Sequence, residues 1–160
     1  ADDDDATADD DDATADDDDA TEQDDSIEGD EPGEMGDELD AVNLGGQKAV
    51  TLQSGDRHTC ALLDDGAVRC WGYPWSLGVG DTQGRGHAPN TMGDNLEDVD
   101  LASLAVQDLY TASDFTCATL AEGHAQCWGF NDNGQLGLED SATRGDEPGE
   151  MGSNLPLVEL

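Results

Sequence analysis

The sequence predicts an all-β repeat protein with an acidic N-terminal extension. Three observations support this fold class: a segment of nearly sixty residues recurs along the chain, each copy contains short strand-like stretches bounded by Gly-rich turns, and the negative charge is concentrated at the N-terminus. The 160 residues include 40 Asp and Glu against 5 Lys and Arg, giving a formal net charge of −35. Of the acidic residues, 22 lie within residues 1–40, which contain no Lys or Arg.

This charge balance argues against two classes of function. Nucleic-acid binding requires a basic surface that displaces counterions from phosphates, and 5 basic residues among 160 cannot supply one. Anionic membrane surfaces are disfavoured for the same reason. No stretch approaches the roughly 18 consecutive apolar residues of a membrane-spanning helix. We therefore expect no nucleic-acid partner and no membrane insertion.

Residues 1–28 are predicted to be a solvated, Asp-rich tail. Residues 1–21 consist of three copies of Ala-Asp-Asp-Asp-Asp-Ala-Thr. Asp is a poor helix former and neighbouring carboxylates repel one another, which favours an extended chain. A spacer is the favoured interpretation, and Ca²⁺ binding is an alternative, although the tract lacks the turn glycine and ligand cage of a specific site. Thr7, Thr14 and Thr21, which close the three copies, are candidate glycosylation sites.

An internal repeat follows the tail. The segment Gly-Asp-Glu-Pro-Gly-Glu-Met-Gly at residues 29–36 recurs unchanged at residues 145–152, and a degenerate copy lies between them. Successive copies start 57 and 59 residues apart. The predicted organisation is therefore a partial repeat at 29–44, which corresponds to the end of a repeat, followed by whole repeats at 45–101 and 102–160.

Each whole repeat is predicted to form antiparallel strands around a tight turn. Asp64-Asp65-Gly66 and Ala121-Glu122-Gly123 have the form of three-residue hairpin loops with Gly in the left-handed conformation. The predicted strands are residues 50–53, 59–63 and 67–71 in the first repeat and residues 109–111, 116–120 and 124–128 in the second. No segment is predicted to be helical.

The four cysteines form two Cys-x₉-Cys pairs. Folding each hairpin about its turn places Cys60 opposite Cys70 and Cys117 opposite Cys127. Directly opposed residues bring their β-carbons to about 4.5–5.5 Å, close enough for a bridge after slight twisting. Disulfides are the favoured interpretation, and they predict an extracellular or cell-surface location. A four-Cys zinc site and reduced core cysteines are the alternatives, although zinc ligand pairs are usually only two to four residues apart.

The residues around these cysteines resemble the repeat of the regulator-of-chromosome-condensation superfamily. The resemblance rests on residues 58–62 (His-Thr-Cys-Ala-Leu), 68–72 (Val-Arg-Cys-Trp-Gly) and 127–137 (Cys-Trp-Gly-Phe-Asn-Asp-Asn-Gly-Gln-Leu-Gly). It implies two β-propeller-type blades, each a four-stranded antiparallel unit with a disulfide-stapled hairpin. The paired cysteines resemble those of secreted bacterial members. Two blades alone cannot close a propeller ring.

No catalytic grouping is evident in the sequence. His58, His87 and His124 have no Cys or Ser partner at a recognisable spacing, and the acidic loop residues recur with each copy, whereas an enzyme needs one asymmetric site. We expect no enzymatic activity and no cofactor, with Ca²⁺ bridging by acidic loops as the alternative. Trp71 and Trp128 are expected to pack between repeats. For Trp75, which has no counterpart in the second repeat, an exposed side chain that contacts a partner is an alternative.

Two functional hypotheses follow. The first is an extracellular structural protein whose repeats associate head-to-tail into a ring or filament, because two isolated blades leave open β edges and apolar faces that need cover. The partial repeat at 29–44 would complete a blade of a neighbouring chain. The second is a surface-exposed module from a larger propeller that binds a protein or glycan, including as an inhibitor of an enzyme.

Overall fold

The computed structural model describes residues 35–159. The predicted Asp-rich tail, including Thr7, Thr14 and Thr21, lies outside the described residues. Residues 35–41 belong to a different unit from the rest and contain one 3₁₀ turn, Gly36–Glu38. Within residues 35–159, no helix has the length and apolar character needed to cross a bilayer.

Residues 42–159 form two antiparallel sheets, with strand orders β1-β2-β3 and β4-β5-β6-β7. The strands are β1 (Ala49–Ser54), β2 (His58–Leu63), β3 (Val68–Gly72), β4 (Val106–Ala112), β5 (Phe115–Leu120), β6 (His124–Gly129) and β7 (Val158–Glu159). The connections contain short 3₁₀ turns at Pro74–Ser76, Gly93–Asn95, Ala121–Gly123 and Gly152–Asn154. The predicted all-β class is confirmed, and the six strands expected from the sequence all form.

The two sheets differ at their outer edges. In the second sheet β7 pairs with β6, with Ala125 opposite Val158. In the first sheet a single bridge joins Arg69 to Asp98, so this sheet has three strands instead of the predicted four. The Arg69 side chain lies at this edge, where its Nε donates to Asp98 Oδ1 at 2.6 Å and its Nη1 donates to the Leu44 carbonyl at 2.8 Å. The Val99 N–H also donates to the Val68 carbonyl at 2.7 Å, so this backbone hydrogen bond and the Arg69–Asp98 pair together hold the outer segment of the first sheet.

Both hairpins adopt the predicted register. The last residue of each turn is a glycine with φ of +89° in the first hairpin and +83° in the second, the left-handed region that glycine enters without strain. Cys60 pairs with Cys70 and Cys117 with Cys127, with Cα atoms 4.1 Å apart in both pairs. Both pairs form disulfides, which confirms the favoured interpretation and makes the zinc and reduced-cysteine alternatives wrong.

The main core lies between the two sheets. The face of the first sheet that carries the Cys60–Cys70 disulfide packs against the face of the second that carries Leu109 and Trp128. A smaller core, formed by Leu44, Ala61, Leu63 and Leu96, lies on the opposite face of the first sheet. The first sheet is therefore apolar on both faces, as expected for a layer that has neighbours on both sides.

Candidate interaction surfaces

The junction between the two sheets shows how one repeat packs on the next. His58 begins β2 and is buried, and its Nε2 lies 2.8 Å from Thr116 Oγ1 in β5. Leu62 and Val68 lie in the same apolar core, and the Gly152 N–H donates to the Asp100 carbonyl at 2.8 Å. The junction therefore combines branched aliphatic side chains with a few buried hydrogen bonds.

The junction disfavours the protonated form of His58. Burial lowers the pKa of its imidazole, and the nearby carboxylates of Asp114 and Asp56 oppose that shift only in part. Its Nδ1 is buried and has no hydrogen-bond partner among residues 35–159. Through its contact with Thr116, His58 connects the first sheet to the second.

A head face remains open on the first sheet. We use this name for the face that points away from the second sheet. Its residues match buried residues one repeat later, with Leu52 for Leu109, Thr59 for Thr116 and Trp71 for Trp128. Leu52 is 56% exposed, whereas Leu109 is fully buried by the neighbouring sheet. The head face is therefore equivalent to a filled interface, but within residues 42–159 no sheet covers it.

Part of the head face is already covered by the segment before the first whole repeat. Leu44 packs with Leu63 and Leu96, and the Gly93 N–H donates to the Asn43 carbonyl at 2.9 Å. This bond reproduces the one that Gly152 makes to Asp100 in the next junction. Within residues 42–159, nothing takes the place of the β-sheet part of a preceding repeat on this face.

The tail face is the face of the second sheet that carries the Cys117–Cys127 disulfide. It corresponds to the Cys60–Cys70 face, which fills the internal junction. Phe115, Cys117 and Thr119 are half-buried on it. Its residues differ from those of the first repeat, with Tyr110 for Gln53, Phe115 for His58, Thr119 for Leu62 and Ala125 for Val68. The tail face thus offers less branched aliphatic surface than its counterpart.

A cluster of aromatic rings lies at the loop end of the junction. Trp75 contacts Tyr73 and Phe130, with ring centroids 5.0 Å and 6.3 Å apart. The Arg57 guanidinium lies 3.9 Å from the centre of the Tyr73 ring and 2.9 Å from Asp114 Oδ1. These two rings leave Trp75 half-buried, so the alternative of an exposed Trp75 is not borne out. Sequence reasoning missed the Arg57–Asp114 pair, whose members lie at equivalent positions of different repeats.

The recurring acidic loop has a structural role. Glu150 Oε2 accepts hydrogen bonds from the backbone N–H groups of Gly145 at 2.8 Å and Glu147 at 3.1 Å. Burial, assisted by the Glu150 charge, raises the pKa of Asp146. Across residues 35–159, no three His, Cys, Asp or Glu side chains are grouped so that they could hold a metal ion.

Comparison with known protein families gives a match within the first whole repeat. Residues 49–74 match the model of the "Regulator of chromosome condensation (RCC1) repeat". The E3 ubiquitin-protein ligase HERC2 of Homo sapiens and that of Mus musculus are each 31% identical to this chain over 98 residues. The match covers 61% of this chain and 2% of each ligase, so the chain spans a small part of these relatives.

Solved structures with a related arrangement were also found. Human WBSCR16 is 16% identical, with a TM-score of 0.48 over 62% of this chain and 25% of that protein. Prp20p from Saccharomyces cerevisiae, described with its binding properties to Gsp1p and histones, is 16% identical, with a TM-score of 0.46 over 63% of this chain and 24% of that protein. The chain thus spans about a quarter of each of these structures.

Proposed function

We propose that this chain, in which residues 49–74 match the regulator-of-chromosome-condensation (RCC1) repeat, works by associating with further blades through its head and tail faces. The observation that carries the proposal is the exposure of Leu52, 56%, at a position where the second repeat has the fully buried Leu109. Stacked repeats bury their apolar faces against one another, and a terminal face needs either a polar cap or a partner. The head face has no polar cap at Leu52.

The proposed arrangement is head-to-tail association of copies of this chain. The internal junction already joins a Cys60–Cys70 face to a Leu109–Trp128 face, and the tail and head faces are their respective equivalents. A contact between two unlike faces leaves one of each free, so that further copies add until a ring closes or a filament grows. This role is structural and non-enzymatic. The two disulfides favour an extracellular or cell-surface site of action, as in the secreted bacterial members that the cysteines resemble.

Leu52→Asp tests this proposal. Sedimentation velocity over a concentration series, with electron microscopy of the same samples, is expected to show wild-type species larger than a monomer. The variant is expected to stay monomeric, because association would bury its unpaired carboxylate. The matched control is Leu104→Asp, at a 41% exposed leucine in the turn before β4, outside both faces; it is expected to associate like the wild type. A wild-type chain that is monomeric at every concentration contradicts the proposal.

The second candidate function is a module of a larger propeller that presents its loops to a protein or glycan. The replacement of Leu62 by Thr119 and of Val68 by Ala125 favours it, because a second copy would then meet a poorer surface than the internal junction provides. Hydroxyl-radical footprinting distinguishes the two functions. Under this alternative, Leu52 is protected in material from the natural source, whereas the purified 160-residue chain is monomeric and reactive at Leu52.

A further inference from the structure

Phe130 and Tyr73 occupy the same place in the two repeats. Each follows the glycine that ends the third strand of its repeat. The Tyr73 N–H donates to the Arg57 carbonyl at 2.8 Å, and the Phe130 N–H donates to the Asp114 carbonyl at 3.0 Å. Arg57 and Asp114 are therefore equivalent residues as well, each immediately before the second strand of its repeat.

In the first repeat this place holds a cation on an aromatic ring. The Arg57 guanidinium lies over the Tyr73 ring, 3.9 Å from its centre, and is bound by the Asp114 carboxylate. A cation–π contact and a charge-assisted hydrogen bond thus act together. The second repeat has a carboxylate, Asp114, in the place of the guanidinium, so the residue equivalent to Arg57 supplies no cation to Phe130.

A cleft of about 480 Å³ opens beside Phe130. The rings of Phe115 and Phe130 line it together with the exposed polar side chains of Asp132, Asn133 and Gln135. Arg57 and Asp114 form one edge and are paired with each other. Asp132 therefore adds a negative charge to the cleft beyond that pair.

The charge of the whole chain acts in the same direction. A net charge of −35 attracts cationic partners over long distances and speeds their encounter. Aromatic side chains are enriched at the centres of protein–protein interfaces, where they bind the side chains of a partner. A basic protein surface is a partner that can both pack on the aromatic rings of the cleft and pair with its negative charge.

We propose that this cleft binds a Lys or Arg side chain of a basic protein partner, which packs on Phe130 and directs its charge to Asp132. The contact completes between two proteins the arrangement that Arg57 and Tyr73 make within the first repeat. An anionic ligand is the opposite reading, and it is disfavoured because the Arg57 guanidinium is already engaged by Asp114. The cleft shares Phe115 with the tail face, and its other lining residues are not among those that define either face.

NMR titration of the isotope-labelled full chain with N-acetyl-arginine amide tests the cleft. Saturable shifts are expected at Phe130 and Asp132, and the uncharged N-acetyl-citrulline amide is expected to bind at least about threefold more weakly. Phe130→Leu, which keeps an apolar side chain but removes the ring, and Asp132→Asn are each expected to weaken binding of the arginine probe at least about threefold. Glu139→Gln removes the same charge from an exposed residue that does not line the cleft and is expected to leave binding unchanged.

Three results would overturn the inference. If the citrulline probe bound as tightly as the arginine probe, the positive charge would play no part in recognition. If Glu139→Gln and Asp132→Asn weakened binding of the arginine probe equally, the binding would reflect only general attraction to an acidic chain. Preferred binding of N-acetyl-aspartate would mean that Arg57 recognises an anion. Leu52→Asp is expected to bind the arginine probe like the wild type, so that failure of the cleft and failure of the assembly proposal are observed separately.

Discussion

His58 and Phe115 occupy the same position in the two repeats, yet their surroundings differ. His58 is enclosed between two sheets and contacts Thr116, whereas Phe115 lies half-buried on the tail face beside a cleft. A polar ring that is buried needs a partner, and the second repeat supplies one; a half-buried phenyl ring needs none. Within residues 35–159, the two residues at this position thus differ in whether a neighbouring sheet covers them.

The burial of His58 predicts a pH-dependent stability. Because its pKa is lowered in the folded protein, the unfolded chain binds the proton first. The contribution to stability is complete above the unfolded pKa of about 6.5 and is lost as the pH falls toward the folded pKa. Urea denaturation between about pH 5 and about pH 8 is expected to give a free energy of unfolding that rises with pH.

His58→Gln is the control for this pH dependence. The Gln amide can bond to Thr116 but does not titrate, so the slope between about pH 5 and about pH 7 is expected to flatten. An unchanged slope would assign the pH dependence to other groups.

Gly78 and Gly66 form a matched pair for backbone strain and packing. Both have positive φ, but a Cβ at Gly78 would lie 2.6 Å from Trp128 Cδ1, while a Cβ at Gly66 would meet nothing within 4 Å. Gly66→Ala is expected to cost about 1 kcal/mol through left-handed strain. Gly78→Ala is expected to cost on the order of 1–3 kcal/mol more through overpacking. Chemical denaturation measures both, and equal losses would show that Trp128 moves aside freely.

At the scale of elements, the two disulfide-linked hairpins share a strand register but differ in how far their disulfides are buried. Cys60 and Cys70 are fully buried between the sheets, whereas Cys117 is half-buried on the tail face. We predict that a mild reductant opens the Cys117–Cys127 disulfide first, because a thiolate must reach the sulfur that it attacks. Alkylation followed by peptide mass spectrometry gives the order, and simultaneous opening would contradict the difference in cover.

The double variant Cys117→Ala/Cys127→Ala measures what this staple contributes. Its loss is expected to lower the free energy of unfolding by on the order of 3 kcal/mol. This is the loop-closure entropy that a cross-link around a loop of this length removes from the unfolded chain. Chemical denaturation of the variant and of the wild type under non-reducing conditions gives the difference. A loss well under about 1 kcal/mol would show that the hairpin is held by its strand pairing alone.

The elements that could be predicted from the sequence are those with local signals. Gly66 and the spacing from Cys60 to Cys70 determine a turn and a register within one hairpin, and the structure confirms both. The single Arg69–Asp98 bridge and the Arg57–Asp114 pair could not be predicted, because they depend on contacts across 29 and 57 residues. The exposure of Leu52 could not be predicted either, because Leu52 and Leu109 occupy equivalent positions of the repeat and have the same residue type.

At the scale of the whole molecule, charge opposes the association of copies. Two chains of net charge −35 repel each other, and the repulsion weakens as the Debye length falls from about 30 Å at about 0.01 M salt to about 10 Å at about 0.1 M. We predict that self-association strengthens over this range, whereas binding of a cationic probe to the cleft weakens. Sedimentation and NMR titration at both salt concentrations measure the two effects. Self-association that weakens with salt would mean that ion pairs, not apolar faces, drive it.

The hydrogen bonds of Asn43 and Leu44 determine where a fragment that contains whole repeats of this chain should begin. Their carbonyls accept hydrogen bonds from Gly93 and Arg69, so residues just before Gly45 help to hold the sheet that follows. A segment excised at Gly45 would lose these bonds and expose Leu63. The unit that folds with its hydrogen bonds intact therefore begins a few residues before the sequence repeat at Gly45. A fragment that starts ahead of Asn43 keeps the segment that packs against its first sheet.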